Sequence, residues 1–278
     1  MTEKIRSELD SGKVTCGIFI DLQKAFDTVN HDILLKKLEH YGFRGNINNW
    51  FRSYLFQRRQ KVVINVFESE NRILPHGVPQ GSVLGPILFL IYINDLNNCI
   101  DHSITYLFAD DTVLLNISDN YKILRMNATK DLKSLTKWLT ANKISLNKDK
   151  TELIFFRKHD PLPNIRIKLQ GKLFVPTKVV KYLGIYLDEK LNGIIHSEEL
   201  SKKLNRGNGM LAKVRHYIPL SQLLDIYHAV FSSHLMYGCQ VWTQKLLSVK
   251  NRISTLQKNA IRIITFSHHK AHTELLFK

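Results

Sequence analysis

The sequence predicts an α+β domain over residues 1–190, with helices on one face of an antiparallel sheet, and then an all-helical basic segment over residues 191–278. Strand-like and helix-like stretches alternate up to about residue 190, which is typical of a mixed domain. From about residue 198 the apolar pattern is helical to the end. The charge also divides: residues 1–120 carry a net charge of −2, and residues 121–278 carry +18.

The first third of the chain reads as a strand, two helices, a strand and a loop. Residues 14–22 form an apolar run that predicts a buried strand. Apolar residues at helical spacing predict helices over residues 28–41 and from Asn46 onward. Residues 61–66 are rich in β-branched side chains and predict a strand, whereas residues 75–82 contain too much proline and glycine for anything but a loop.

From Ser82 onward, predicted helices and strands alternate again until the chain becomes helical. Ser82 is in position to cap a buried helix that ends near Asn97. The remaining predictions are a hairpin over residues 104–115, a helix over 121–142, strands near 152–157, 165–169 and 179–187, and helices near 200–216, 221–236 and 246–266.

Three aspartates lie at the ends of predicted strands. Asp110 and Asp111 stand between two apolar runs without glycine or proline, and Asp21 ends the apolar run that begins at Gly17. Adjacent like charges at a turn are unfavourable unless a cation lies beside them, and a divalent metal prefers carboxylate oxygens. A lone pair of aspartates is commonly a solvated turn. The third acid favours one site that holds two metal ions for in-line phosphoryl transfer.

The whole chain has 40 basic and 24 acidic residues, a net charge of +16. Because the excess lies in the second half, it favours a surface that binds a nucleic acid, with a merely soluble basic surface as the alternative. The longest apolar run, residues 83–93, contains glycine and proline and is too short to span a bilayer, so we expect no membrane partner.

Five short motifs follow one another along the chain. They are Ile20–Asp27 (IDLQKAFD), Gly77–Phe89 (GVPQGSVLGPILF), Phe108–Thr112 (FADDT), Ser145–Glu152 (SLNKDKTE) and Lys181–Ile185 (KYLGI). In this order they resemble the motifs of reverse transcriptases of non-LTR retrotransposons, especially the jockey-like branch. The resemblance covers nearly the whole chain. It implies the palm of a right-hand polymerase over residues 1–190, and a helical thumb with the start of a C-terminal extension over residues 191–278.

The resemblance also implies a catalytic centre. Asp21, Asp110 and Asp111 would hold two Mg²⁺ ions, for which Mn²⁺ can substitute. Lys150 would protonate pyrophosphate or orient the triphosphate, and Lys148 is its nearby rival for this role.

Further roles follow from the same resemblance. Phe26 would be the bulky gate that excludes a ribose 2′-hydroxyl, although core packing explains a phenylalanine equally well by residue type. Gln80 and Gly81 would lie against the incoming nucleotide and the template. The motif at Lys181, Tyr182 and Gly184 would seat the primer end.

The resemblance implies an RNA template, a DNA primer and dNTPs as partners, with the element RNA in a ribonucleoprotein, and an intracellular location in cytoplasm and nucleus. Only 20 residues precede Asp21, which is too few for the family's fingers region. We therefore expect a polymerase whose fingers are largely missing. The alternative is a catalytically impaired remnant that binds nucleic acid.

Overall fold

The computed structural model describes residues 1–158, 165–169, 171–243 and 247–277. Apart from its first two residues, the chain divides into two compact units, Glu3–Thr177 and Lys178–Lys278. The sequence places the boundary further along, between residues 190 and 191. The difference arises because the last strands of the chain belong to the second unit.

The strands of the first unit are β1 (Val14–Ile20), β2 (Arg59–Gln60), β3 (Val63–Ile64), β4 (Phe67–Glu68), β5 (Arg72–Ile73), β6 (Ile104–Phe108), β7 (Asp111–Ser118), β8 (Glu152–Phe156), β9 (Ile167–Leu169) and β10 (Lys172–Phe174). Four of them form an antiparallel sheet in the order β6-β7-β1-β8. Every residue of β1 from Thr15 to Ile20 is buried, so at this strand both faces of the sheet are covered, and not only the face with the predicted helices. The predicted mixture of α and β structure with an antiparallel sheet is confirmed.

The helices of the first unit are α1 (Thr2–Asp10), α2 (His31–His40), α3 (Asn46–Leu55), α4 (Leu84–Ile93) and α5 (Tyr121–Ala141). Two of them begin at an asparagine whose side chain accepts a backbone hydrogen bond: Asn30 from the N–H of Ile33 at 3.1 Å, and Asn120 from that of Lys122 at 2.8 Å. The sequence predicts four of these helices. It makes no prediction for α1.

The segment between β2 and β5 is an exposed, two-part hairpin. β2 pairs with β5, and β3 pairs with β4 inside that ladder. The prediction of a strand over residues 61–66 is wrong beyond Val63 and Ile64, because Asn65 has a φ of 55° and turns the chain there. Asparagine tolerates this left-handed conformation, and Val66 beside it is 86% exposed.

A hairpin opens the second unit. The strands of the second unit are β11 (Val179–Tyr182) and β12 (Ile185–Asp188). Its helices are α6 (Ile194–Val214), α7 (Leu220–Tyr227), α8 (Ser233–Met236), α9 (Cys239–Trp242) and α10 (Leu247–Ile264). The prediction of one strand over residues 179–187 is wrong. Leu183 and Gly184 both have positive φ, at 45° and 79°, and form the tight turn that reverses the chain.

The helical prediction for the second unit is confirmed. A π-helical turn at His228–Ser232 joins α7 to α8, and residue 246, where the last helix is predicted to begin, lies outside the described residues. Leu204, Leu211, Leu223 and Phe231 are fully buried in the core of this unit. In the described part of the chain, no helix is long and apolar enough to cross a membrane.

Candidate active site

The hairpin of β6 and β7 presents two of the three acids. Phe108 pairs with Asp111, so that Ala109 and Asp110 form a two-residue turn. Ala109 has a φ of 51°, which is uncommon for a residue with a side chain and costs energy. Such turns usually use glycine for positive φ, so the strain lies at Ala109, directly before Asp110.

Asp21 is placed beside this turn by the register of the central sheet. Ile20, the last residue of β1, pairs with Thr112 on β7. Asp21 directly follows β1 and Asp111 begins β7, so the register places these two acids at the same edge of the sheet. The register therefore brings Asp21 close to the adjacent Asp110 and Asp111, which lie far from it in sequence.

The backbone of Asp21 is fixed from its other side. Its N–H donates to Thr151 Oγ1 at 3.3 Å, and its carbonyl accepts from the N–H of Asn147 at 2.8 Å. A hydrogen bond of 2.8 Å from the N–H of Gln23 to the carbonyl of Ser145 continues this pairing. Within the described residues, the carboxylates of Asp21, Asp110 and Asp111 have no hydrogen-bond or salt-bridge partner, so their oxygens remain available to a ligand.

Asp21 and Asp110 line one cavity of about 650 Å³. Its lining residues are Asp21, Leu22, Gln23, Lys24, Ala25, Phe26, Thr28, Gln80, Asp110, Ser145, Asn147 and Lys150. Five of the site residues predicted from the sequence are among them. Asp111 and Gly81 are not, but each directly follows a residue that is.

The electrostatics of the acids show that they interact. The Asp111 pKa is raised above its ordinary value, first by desolvation of the carboxylate and then by the negative charges of Asp110 and Asp21. A positive ion placed beside these acids would reverse this repulsion.

Phe26 fits both interpretations of its role. Its ring stacks on Phe89, with 4.5 Å between the ring centroids and 23° between the planes, and it packs partly buried against the core. The same residue also lines the cavity of the acids. Its backbone carbonyl accepts from the N–H of Val78 at 2.8 Å, which connects the segment after Asp21 to the loop over residues 75–82.

Gln80 is held by a neighbouring acid, because its Nε2 donates to Asp27 Oδ1 at 3.0 Å. The loop packs too closely for side chains at two glycines. A Cβ on Gly77, whose φ is 89°, would lie 2.9 Å from the Asp27 backbone, and one on Gly85 would lie 2.3 Å from the Pro79 carbonyl. Gly77 therefore allows the loop to approach the segment that follows Asp21, and Gly85, on α4, allows the loop to lie close to the start of that helix.

The loop ends as the sequence predicts. The Ser82 hydroxyl accepts from the N–H of Gly85 at 2.9 Å and donates to the Pro79 carbonyl at 2.8 Å. This hydroxyl satisfies a backbone N–H near the start of α4, and Gly81 has the positive φ of 82° that the preceding turn requires.

The two candidate lysines differ in position. Lys150 lines the cavity, whereas Lys148 is not among the lining residues. Asn147 explains this placement, because its Oδ1 accepts from the N–H groups of Asp149 and Lys150, at 3.3 and 3.4 Å, in a local turn. We made no prediction for Asn147. The sequence does offer a signal for Asn147, because an asparagine stands there at the start of a run of residues that favour turns.

The acids provide the hard oxygen donors that Mg²⁺ prefers. Within residues 1–158, 165–169, 171–243 and 247–277, no three or more His, Cys, Asp or Glu side chains are grouped so that they could hold a metal ion. Mg²⁺ is commonly bound by one or two carboxylates together with substrate phosphates and water, and not by a complete protein cage. Asp21 and Asp110 in one cavity fit that mode of binding.

The residues predicted to seat the primer lie in the second unit. Lys181 and Tyr182 are on β11, and Gly184 is in the turn before β12. Tyr237 holds this turn, because its hydroxyl donates to the Leu183 carbonyl at 2.6 Å.

Comparison with known proteins identifies the family. Residues 2–187 match the family model for reverse transcriptase (RNA-dependent DNA polymerase). The chain is 29% identical over 284 residues to the probable RNA-directed DNA polymerase from transposon BS, and 28% identical over 269 residues to the RNA-directed DNA polymerase from mobile element jockey, both of Drosophila melanogaster. The alignments cover 95% and 92% of this chain but only 30% and 29% of those proteins.

Among solved structures, apo telomerase from Candida tropicalis is similar, with a TM-score of 0.49 and 14% identity over 95% of this chain and 45% of that one. The resemblance to jockey-like elements that the motifs indicate is confirmed by the named relatives. Since the family model covers well over half of its residues, the chain belongs to the reverse transcriptase family.

Proposed function

We propose that this chain carries the RNA-directed DNA polymerase site of a non-LTR retrotransposon protein. The reaction would transfer a nucleotidyl group from a dNTP to a primer 3′-hydroxyl on an RNA template. The observation that carries this proposal is the shared cavity of Asp21 and Asp110, with Asp111 in electrostatic contact with both. The relatives named RNA-directed DNA polymerases support it.

Asp21 and Asp110 would hold two Mg²⁺ ions, or Mn²⁺ in their place, with Asp111 in support. When bound, such ions supply activation of the attacking hydroxyl and neutralisation of charge on the leaving pyrophosphate. The protein's own contribution is position. The turn at Ala109 and the backbone bonds of Asp21 would hold the main chain that carries these carboxylates before a substrate arrives.

The other residues of the cavity would orient the nucleotide. Lys150 carries a positive charge at the cavity and is better placed than Lys148 to meet a triphosphate or to donate a proton to pyrophosphate. Phe26, supported from behind by Phe89, would set the space beside the sugar. Gln80, with Gly81 next to it, would lie against the nucleotide and the template.

The two compact units would serve as palm and thumb. Residues 200–278 carry 12 basic and 2 acidic residues, a charge that suits the phosphate backbone of an RNA–DNA duplex. Lys181, Tyr182 and Gly184 would seat the primer end. We propose the element RNA, in a ribonucleoprotein, as the natural template, and an intracellular location in cytoplasm and nucleus.

The alternative is a catalytically impaired remnant that binds nucleic acid through its basic helices. It is not favoured, because all three acids are present and the fold still places Asp21 and Asp110 in one cavity. A remnant without selection for catalysis has no need of the strained turn at Ala109.

Primer extension tests the proposal. The chain is incubated with an RNA template, a labelled DNA primer, dNTPs and Mg²⁺ or Mn²⁺, beside Asp110→Ala and the control Asp119→Asn, which removes an exposed acid at the other end of β7. We expect metal-dependent incorporation by the wild type and the control, and none by Asp110→Ala. Incorporation that survives Asp110→Ala would refute the assignment.

A further inference from the structure

A second cavity of about 560 Å³ lies in the first unit, on the other side of Gln80. Its lining residues are Asp27, Arg58, Arg59, Gln60, Leu74, His76, Val78, Pro79 and Gln80. Gln80 is the residue that both cavities share. The hydrogen bond from Gln80 to Asp27 therefore forms part of the wall between the catalytic acids and this second space.

Arg58 is the unusual residue of this cavity. Its Nη1 is buried and has no hydrogen-bond partner within the described residues. The Arg58 backbone is held in place, because its carbonyl accepts from the N–H of Leu74 at 2.8 Å next to the β2–β5 ladder. A buried guanidinium donor without an acceptor is costly, and the cost disappears when an anion supplies the missing oxygen.

The lining of the cavity has a net positive charge. The two guanidinium groups of Arg58 and Arg59 outweigh the single carboxylate of Asp27, whose Oδ1 accepts from the Gln80 amide. His31 lies behind His76, and its Nε2 is 2.8 Å from the Gly77 carbonyl. The His31 pKa is lowered mainly by burial, and next, among the lowering causes, by the positive charges of His76 and Arg58, while its bond to Gly77 raises it.

We propose that this cavity binds a phosphodiester group of the template strand, with Arg58 and Arg59 as its donors. Arginine suits such a group because its planar fork donates two parallel hydrogen bonds to phosphate oxygens. The inference rests on the proposed function and deepens it. The phosphate would anchor the strand on the far side of Gln80 from the catalytic acids.

A nucleoside triphosphate is the other source of phosphate, and the structure favours the strand. A triphosphate that reacts at Asp21 and Asp110 must lie in their own cavity, where Lys150 supplies a positive charge. The second cavity is separated from it by the Gln80–Asp27 pair. A continuous strand can occupy both sides of that wall, because successive phosphates follow its backbone.

The test measures binding of the full chain to a fluorescently labelled RNA template–DNA primer, by anisotropy over a range of salt concentrations. Arg58→Gln removes the buried donor, and Arg52→Gln removes an exposed arginine on α3 that does not line the cavity. We expect Arg58→Gln to weaken binding about tenfold or more and to reduce the slope of log K against log salt by about one. Arg52→Gln should leave the slope unchanged.

A template with a single uncharged methylphosphonate locates the contact. At one position near the primer end, this change should weaken binding by the wild type but not by Arg58→Gln. Equal slopes for Arg58→Gln and Arg52→Gln would overturn the inference. It would also be overturned if calorimetry showed that Arg58→Gln loses affinity for a Mg²⁺–dNTP while its salt slope is unchanged.

Two further arms keep the result interpretable. Circular dichroism and thermal unfolding check the fold, and Arg59→Gln, at an exposed residue of the same cavity, replaces Arg58→Gln if that variant does not fold. Equal slopes with normal metal-dependent extension refute the phosphate site alone. Primer extension by Asp110→Ala at the level of the wild type refutes the proposed function, whatever the salt slopes show.

Discussion

Replacement of Asp111 by asparagine removes one of three negative charges from a single edge of the sheet. Because the pKa of Asp111 is raised in the folded protein, the folded state holds this proton more tightly than the unfolded state. The stability of the metal-free wild type should therefore fall as the pH rises from the ordinary aspartate pKa of 3.8 through the raised value. Asp111→Asn should lack this loss and be more stable at neutral pH without metal.

The strand register gives the size of this stability difference. Like charges opposed across an antiparallel ladder destabilise by roughly 0.2–1 kcal/mol. For a cooperative unit of this size, 1 kcal/mol corresponds to a Tm change of about 2–4 °C. We therefore expect the metal-free variant to melt about 0.5–4 °C above the wild type at neutral pH.

A divalent metal should reverse this order of stability, so that the wild type becomes more stable than Asp111→Asn. Mg²⁺ at ten times its dissociation constant stabilises the folded wild type by about 1.4 kcal/mol, and Asp111→Asn should gain less because one supporting carboxylate is gone. Thermal unfolding is followed by circular dichroism between pH 4 and 8, with and without Mg²⁺. Asp119→Asn is the control, because it removes an exposed acid at the other end of β7. The reasoning is wrong if Asp111→Asn and Asp119→Asn behave alike, or if Asp111→Asn is less stable than the wild type without metal at pH 7.

Three other predictions follow from the same structure. Tyr92→Phe should destabilise the first unit by about 2–4 kcal/mol in denaturant unfolding, because the hydroxyl serves two buried backbone groups. Phe26→Val should raise the incorporation of ribonucleotides relative to deoxynucleotides by about 10–100-fold in primer extension, since the side chain that we propose beside the sugar becomes smaller. Lys150→Gln should lower kcat about 100-fold, whereas Lys148→Gln should change it only a few-fold, because Lys150 alone of the two lines the cavity.

The sheet and its acids could be predicted from the sequence because they depend on local, strongly patterned runs. The apolar residues 14–20 and the pair of runs around Asp110 form β1, β6 and β7. The acids lie at the ends of these strands: Asp21 directly after β1, Asp110 in the turn between β6 and β7, and Asp111 at the start of β7. The helices from Asn30 and Asn120 also begin where the capping residue and the apolar spacing agree.

The remaining features depend on contacts that no local pattern reveals. The β-branched run at residues 61–66 predicts a strand, but its valines are exposed and Asn65 turns the chain. The hairpin at Leu183 was missed because only one of its two turn residues is a glycine. The second cavity was missed because Arg58 and His76 are distant in sequence and meet only when β2 and β5 pair.

The shared metal site of Asp21 and Asp110 is the central claim, and Mn²⁺ binding tests it without any need for turnover. Electron paramagnetic resonance of Mn²⁺ is recorded with a dNTP for the wild type, Asp21→Asn, Asp110→Asn and the control Asp119→Asn. We expect the wild type and the control to bind two Mn²⁺ ions close enough for magnetic coupling, at roughly 3.5–4 Å, and both aspartate variants to lose the coupled signal. A coupled pair that persists in Asp21→Asn and in Asp110→Asn would contradict the account.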